Sequence, residues 1–454
     1  MEKEWFMLIR FELENFRSVR SEAALTLTAI NYYKEHEDQL INDTLPGLAG
    51  MKFLRVAALF GPNASGKSTI FQALAVMRSM VTRSASVSID KTLPYNPYLL
   101  DEKSKHLPTR FFVAFTCENV RFEYTFSFTK HAITEEKLSS FPKGREQVWF
   151  TRKTKLADSK DSQTIIKDSS FLRIPAALNP LVNDNMLLLS LLANYPKYEA
   201  AVKIRPVIDW FSNELTILKR GPKSVVDYPF SGEIVDGAAG TDFQRLFIQE
   251  IMKKADIGIN ETKVKKIPFP ELVKAIGKED EAELLEFLGE HDEQSEYKTV
   301  VFDHMGENGK VEFNLESESD GTFQLFSLSG HIAQALDNGS TLFVDEIDAS
   351  LHPILVREVV RCFLDPTSNP KNAQLVFTAH NPCLLEEDLL RRDEIWLTEK
   401  LDGATELYPL SEFSPRKDES LVNGYLLGRY SATPVVPTCF GRCRTYADGD
   451  SHDN

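Results

Sequence analysis

The sequence predicts an α/β P-loop fold with a β-rich N-terminal lobe and a helical insertion, and three observations carry that prediction. Residues 61–68 read Gly-Pro-Asn-Ala-Ser-Gly-Lys-Ser, a complete GxxxxGK(S/T) phosphate-binding loop. Its flanks have the character of the strand and helix such a loop joins. Phe53-Leu-Arg-Val-Ala-Ala-Leu-Phe60 is an apolar run of buried-strand length, and Ile70, Ala73, Leu74, Met77 and Val81 recur at helical spacing. Much later, Thr341–Val344 and Gln374–Thr378 read as buried parallel strands, each followed by polar residues.

The loop fixes the ligand class. Its glycines let backbone N–H groups turn inward around a polyphosphate, where a Cβ would meet the oxygens. The expected nucleotide-binding set is Gly61, Pro62, Asn63, Ala64, Ser65, Gly66, Lys67, Ser68 and Thr69. Lys67 reaches the β- and γ-phosphates, the Ser68 hydroxyl completes a Mg²⁺ shell, and the following helix aims its N-terminus at the anion.

The elements follow in order. Residues 7–28 alternate apolar and polar, turn, and alternate again at Ala24–Thr28, which predicts a β-hairpin. Between Arg110 and Phe128 strands return, carrying Phe111, Val113 and Phe115, then Phe122, Tyr124, Phe126 and Phe128, and short strands continue to about Phe150. From about residue 170 to 295 helical spacing dominates: Leu187, Leu188, Leu191 and Leu192 form one face, and Phe243, Leu246, Phe247 and Ile251 another. Asp280 opens a third helix over Glu281–Leu288, and none carries sustained heptads. Strands resume at Lys298–Phe302 and Val311–Leu315. The expected division is an N-terminal lobe with the P-loop over 1–165, a mainly helical insertion over 166–296 and a C-terminal lobe over 297–434. A polar, disordered tail over 435–454 completes it.

Composition narrows the setting. The 454 residues are 42% hydrophobic and 26% charged, which is ordinary for a soluble globular protein. No apolar run reaches membrane-spanning length, the N-terminus lacks a signal-peptide pattern, and five scattered cysteines make no disulfide framework. A cytoplasmic protein without a membrane partner is expected. The net charge of −15 counts against bulk adhesion to nucleic acid. Two basic clusters, Arg152/Lys153/Lys155 and Lys263/Lys265/Lys266, read as solvated loop or strand edges.

A second set of residues completes the site. The strand 341–344 ends in Asp345-Glu346, and two carboxylates at a buried strand tip need a cation or a hydrogen-bonded partner. Beside a P-loop, Asp345 serves the Mg²⁺ shell and Glu346 orients or deprotonates the attacking water. His380 ends the next strand, where α/β sheets bind ligands, placed to sense the γ-phosphate. Ser319 or Asp320 caps a helix carrying Leu325, Leu328, Ile332 and Leu336, and Ser319-Asp-Gly321 there offers an anion a hydroxyl and backbone donors.

In this order, Gly61–Ser68, Ser319-Asp-Gly-Thr322, Phe343-Val-Asp-Glu-Ile-Asp-Ala-Ser-Leu-His-Pro353 and Thr378-Ala-His-Asn381 resemble the ABC-type ATPases of the SMC and OLD-like branch. Such proteins are often described as AAA family ATPases. Leu13-Glu-Asn-Phe-Arg-Ser18 and Asn423–Tyr430 are similar to the same branch. In size and layout the ATPase subunits of anti-phage systems such as PARIS and Septu look nearest. The resemblance implies a P-loop NTPase of ABC/SMC-head type that forms a head-to-head dimer, or a higher homo-oligomer, around two ATP molecules. Lys67, Glu346 and His380 carry over as catalytic, Ser68 and Asp345 as Mg²⁺ contacts, and Ser319 and Gly321 as nucleotide contacts acting in trans. Asn63 carries over as a neighbour of the γ-phosphate.

Three departures stand out. Asp320 and Thr322 replace a glycine and the glutamine of the usual signature, His352 stands where transporters place an Asp, and no residue between 80 and 130 takes the Q-loop role. The resemblance further implies a separate effector, such as a Toprim or HNH nuclease, since Asp448-Gly-Asp450 and Cys439–Cys443 lie in the polar tail without matching partners. The leading expectation is an ATP-hydrolysing regulator in anti-phage defence. The alternatives are a non-hydrolysing nucleotide-sensing scaffold and an SMC-like DNA-binding repair ATPase.

Overall fold

The computed structural model describes the chain apart from residues 1–5, 43–46, 49, 156–162, 220–229, 256–257, 269–295, 387–388, 417–418 and 434–454. The helix expected over Glu281–Leu288 and the polar tail lie outside the described residues. Along the chain come β1 (Leu8–Glu14), β2 (Ala23–Thr26), β3 (Ile41–Asn42), β4 (Lys52–Phe53) and β5 (Val56–Phe60), then α1 (Lys67–Arg83). Five strands follow: β6 (Thr109–Cys117), β7 (Val120–Phe128), β8 (Ile133–Ser140), β9 (Gln147–Lys155) and β10 (Gln163–Asp168). The middle holds α2 (Leu188–Ala193), α3 (Glu199–Asn213), β11 (Leu215–Leu218), α4 (Phe230–Val235), α5 (Asp242–Lys254) and β12 (Ile259–Pro268). The chain continues through β13 (Glu296–Gly306), β14 (Gly309–Asn314), α6 (Asp320–Asn338), β15 (Thr341–Val344), α7 (Pro353–Leu364) and β16 (Gln374–Thr378). It closes with β17 (Ile395–Leu401), β18 (Ala404–Pro409) and α8 (Leu421–Leu426).

A six-stranded sheet in the order β11-β15-β16-β5-β17-β18 positions the site. Every pairing in it is parallel except the terminal β17–β18 hairpin. Both faces are buried, and the alternation of side chains along each strand divides them between two cores. Ala57, Leu59, Phe343, Val376 and Trp396 face one core, shared with α1, α2, α3 and the antiparallel lobe. Val56, Ala58, Phe60, Leu342, Val344, Leu375, Phe377, Ile395 and Leu397 face the other, shared with α5, α6 and α7. That double burial is why these strands read as unbroken apolar runs.

The N-terminal lobe is a seven-stranded antiparallel sheet, β10-β9-β8-β7-β6-β1-β2. In β7 the residues Phe122, Tyr124, Phe126 and Phe128 are buried while the positions between them are not, the period-two pattern of a sheet with one covered face. Phe115 of β6 stacks on Trp210 of α3, with ring centroids 4.1 Å apart. Gln374 of β16 ties the sheets together: its amide donates to the Leu8 and Leu54 carbonyls and accepts from the Leu8 N–H.

Over its described residues the middle segment carries the helices α2, α3, α4 and α5, and it also holds strands that its sequence does not suggest. The antiparallel lobe runs on to Asp168. Leu215-Thr-Ile-Leu218 enters the core sheet as its edge strand, parallel to β15. Then β12 pairs with β13 through nine of its ten residues in a separate three-stranded sheet. Four-residue β11 carries no period of its own, and its sheet partner lies more than a hundred residues away, so local spacing does not reveal it. Of the basic clusters, Lys263, Lys265 and Lys266 do lie on an edge strand, whereas Arg152 departs from the solvated reading. Arg152 is buried, donating to the Met186 and Asn183 carbonyls and facing the buried Glu136 carboxylate at 4.0 Å. Lys153 pairs with Glu135, Lys263 with Asp303 and Glu261, and Lys265 with Glu312, so neither cluster forms a positive groove among the described residues.

Candidate functional site

The carboxyl ends of β5, β15, β16 and β17 converge on one open cleft of ≈ 870 Å³. This is the place where an open parallel sheet offers loop residues and helix N-termini to a ligand. The P-loop leaves β5 at Gly61 and wraps into the N-terminus of α1. Gly61 (φ 151°) and Gly66 (φ 112°) take backbone conformations that L side chains rarely adopt, and a Cβ on them would strike Thr398 and Thr405 respectively. The β17–β18 hairpin therefore buttresses the loop from outside: Thr398 Oγ1 lies 2.6 Å from Ser65 Oγ, and Thr405 Oγ1 donates to the Ser65 carbonyl at 2.7 Å.

Asn63, Ala64, Ser65, Gly66, Lys67, Ser68 and Thr69 line the cleft; Gly61 and Pro62 are not among its lining residues. Lys67 is 5% exposed, and its ammonium donates to the Gly61 and Pro62 carbonyls at 2.7 and 3.1 Å. Burial pushes this ammonium below its ordinary pKa, while the carboxylates of Glu346, Asp345 and Asp348 pull the other way. The lysine and the acids, far apart in sequence, thus form one electrostatic site.

The acidic tip of β15 is held by β16. Thr378 Oγ1 donates to Asp345 Oδ1 and accepts the Glu346 N–H, both at 2.7 Å. Glu346 sits at φ 54°, a left-handed conformation that costs a non-glycine residue energy and is concentrated at working sites. Its Oε1 stands 3.7 Å from His380 Nε2, within electrostatic reach and beyond hydrogen-bond length. Glu346 and His380 line the cleft, whereas Asp345 is not among its lining residues.

Sequence reasoning passes over several lining residues. Asp348 Oδ2 accepts the backbone N–H groups of both His380 and Asn381 at 2.7 Å, locking the loop after β15 to the histidine loop. Arg17, Ser18, Gln72 and Lys400 also line the cleft. Asp348 and Arg17 lie inside motifs quoted above, so their positions are visible in sequence while their partners are not. Gln72 projects from α1, which gives the cleft a glutamine without a separate Q-loop.

Ser319 and Gly321 are not brought to this cleft. Ser319 is the N-cap of α6, accepting the Thr322 N–H at 3.1 Å and lying 3.0 Å from the Thr322 hydroxyl. A Cβ on Gly321 would meet the Ser350 carbonyl, so the signature turn packs on the loop that follows the acidic pair.

The donor set suits Mg²⁺. Among the described residues no group of three His, Cys, Asp or Glu side chains is disposed to hold a metal ion. Mg²⁺ bound with a nucleotide needs only one or two protein oxygens beside phosphate and water, and Ser68 and Asp345 are hard oxygen donors of that kind. No helix among the described residues is long and apolar enough to cross a membrane.

Comparison with known proteins gives three findings. No curated protein matches the chain. Among solved structures it is similar to the SMC head domain from Thermotoga maritima, at 13% identity and a TM-score of 0.37, with 88% of this chain and 98% of that one covered. It is likewise similar to the Smc head domain with an extended coiled coil bound to the C-terminal domain of ScpA from Pyrococcus furiosus, at 13% identity and a TM-score of 0.39, over 94% and 99%. A family model described as "AAA domain, putative AbiEii toxin, Type IV TA system" matches residues 56–386, from the strand before the P-loop to beyond the histidine loop. The chain belongs to that AAA-domain family.

Proposed function

We propose that this protein is an ATPase whose two protomers close head to head around two ATP molecules, and that closure controls a separate effector protein. The observation that carries the reading is a division of labour within one chain. The cleft holds the P-loop, Glu346 and His380, while the capped N-terminus of α6, with Ser319 and Gly321, lies outside its lining. A helix N-terminus carries partial positive charge, so one that lies outside its own cleft would meet an anion when a second copy presents one.

In the proposed reaction Lys67 and the P-loop amides hold the β- and γ-phosphates. Glu346 takes a proton from water as its oxygen attacks the γ-phosphorus; the bond from that phosphorus to the bridging oxygen breaks, leaving ADP and inorganic phosphate. Mg²⁺, held by Ser68 and Asp345 when bound, supplies charge neutralisation at the phosphate oxygens. His380, pinned through Asp348, reads the γ-phosphate. Two protein settings support the effector half of the proposal: the resemblance to anti-phage ATPase subunits, and a family description that names a toxin of a toxin–antitoxin system, which is by definition a paired system.

Steady-state turnover of the unmodified chain tests the enzymatic half. Glu346→Gln is expected to lower turnover by on the order of 10²–10⁴ while retaining ATP. Tight ATP binding without turnover in the unmodified chain would replace hydrolysis with nucleotide sensing.

A further inference from the structure

The three-stranded sheet has two outer edges, and they are built differently. The edge at β12 is guarded. Its register shifts between Ile259 and Glu261, Pro268 ends the strand, and Lys263, Lys265 and Lys266 stud it. Such devices keep a sheet edge from pairing with another chain. The edge at β14 has an unbroken register with β13 and no proline, and all six of its residues are exposed. No strand among the described residues pairs with its outer side.

The hairpin fixes which backbone groups point outward. Gly306 and Gly309 pair across a two-residue turn, so 309, 311 and 313 spend their N–H and C=O groups on β13. Lys310, Glu312 and Asn314 therefore direct theirs away from the sheet. Side chains alternate as well. Val311 and Phe313, 48% and 40% exposed, carry the apolar face of the sheet past its covered strands. Phe313 stands opposite the buried Phe302 and meets the His304 ring with centroids 4.8 Å apart. Lys310 and Glu312 stand on the other face. The Lys310 ammonium lies 3.0 Å from the Glu261 carboxylate and 3.2 Å from that of Asp303, and Glu312 pairs with Lys265. An ammonium has three donors and a carboxylate two oxygens, so both heads can take a further partner.

We propose that β14 pairs with β14 of a second copy of this chain, antiparallel and centred on Val311. Charge and backbone select this register together. It sets Lys310 opposite Glu312 of the second copy and Glu312 opposite its Lys310, and these are the positions whose backbone groups point outward. Centring on Lys310 or Glu312 would set like charges opposite each other, which destabilises a pairing. Centring between residues would set outward backbone groups against inward ones. In the chosen register Phe313 lies over Gly309 of the second copy. A Cβ on Gly309 would meet nothing within 4 Å, so the ring has open space to cover. The contact uses no residue of the cleft and is independent of the ATP reading. It is short beside a stable interface and holds the copies weakly in solution.

Oxidative trapping of the full chain tests this. In a non-hydrogen-bonded antiparallel pair the Cα atoms lie about 4.5 Å apart, within reach of a disulfide. Val311→Cys is therefore expected to form a dimer linked through residue 311, located by peptide mass spectrometry. Linking should run about tenfold or more faster than in Lys310→Cys, whose two copies stand roughly 8 Å apart in this register. The parent chain with its own five cysteines is the blank, and matched denaturation midpoints confirm that the exposed substitutions keep the fold. In the Val311→Cys background, Lys310→Glu or Glu312→Lys alone should slow linking roughly fivefold or more. Mixing the two proteins should restore it as mixed dimers, because two acids on one strand then face two lysines on the other. Linking at 311 no faster than at 310 overturns the self-pairing edge. Fast linking that ignores both charge reversals overturns it too, since the register would then not be the one that charge selects.

Discussion

Asp348 shows how a single side chain joins two motifs that sequence presents as separate. Its carboxylate accepts both amides of the His380–Asn381 turn, so the histidine loop cannot shift without breaking two charge-assisted hydrogen bonds. Asp348→Ala should therefore lower turnover by roughly ten- to a hundredfold through misplacement of His380, with ATP affinity retained. Turnover and equilibrium binding measured on the same preparation separate the two effects. Another residue-scale prediction concerns stability. Glu394 is buried beside Arg391, whose N–H it accepts at 2.9 Å, and burial pushes its carboxyl from 4.5 up to about 8. The native state therefore keeps a proton that the unfolded chain has released, and this group's contribution to stability is full below pH 4.5 and declines as pH rises to about 8. Glu394→Gln should flatten that decline in denaturant titrations across the same window.

At the scale of elements, legibility follows sequence distance. The P-loop, the Asp345-Glu346 tip and His380 are readable because each chemical group sits within a few residues of an apolar strand that marks a sheet end. Arg152 reads as solvated and is not, because nothing near it in sequence shows that Glu136 and the Met186 carbonyl enclose it. The strand β11 is invisible for the same reason, its order coming entirely from β15. Ser319 is legible as a cap, and Ser319→Ala should cost about 1 kcal/mol in unfolding experiments. The same change should abolish nucleotide-driven association in a Glu346→Gln background, while the binding of ATP by a single chain persists. Loss of the cap's stability without loss of association would assign Ser319 to the fold alone.

Across the whole molecule, the parallel sheet separates two cores, and the antiparallel lobe stands on one of them through packing such as Phe115 on Trp210. Phe115→Ala should cost about 3–5 kcal/mol, read as a shift in the denaturation midpoint, since the ring is wholly buried and its removal leaves a cavity between sheet and helix. The sheet also gathers residues 17, 67, 346, 380 and 400 into one cleft, although they span most of the chain. What one chain does not gather is the α6 N-terminus. The central claim is that a second copy supplies it, and light scattering of the Glu346→Gln protein with and without ATP and Mg²⁺ tests this most directly. The account predicts a doubling of mass that requires nucleotide and disappears in Ser319→Ala. A mass that stays monomeric at saturating ATP would contradict it.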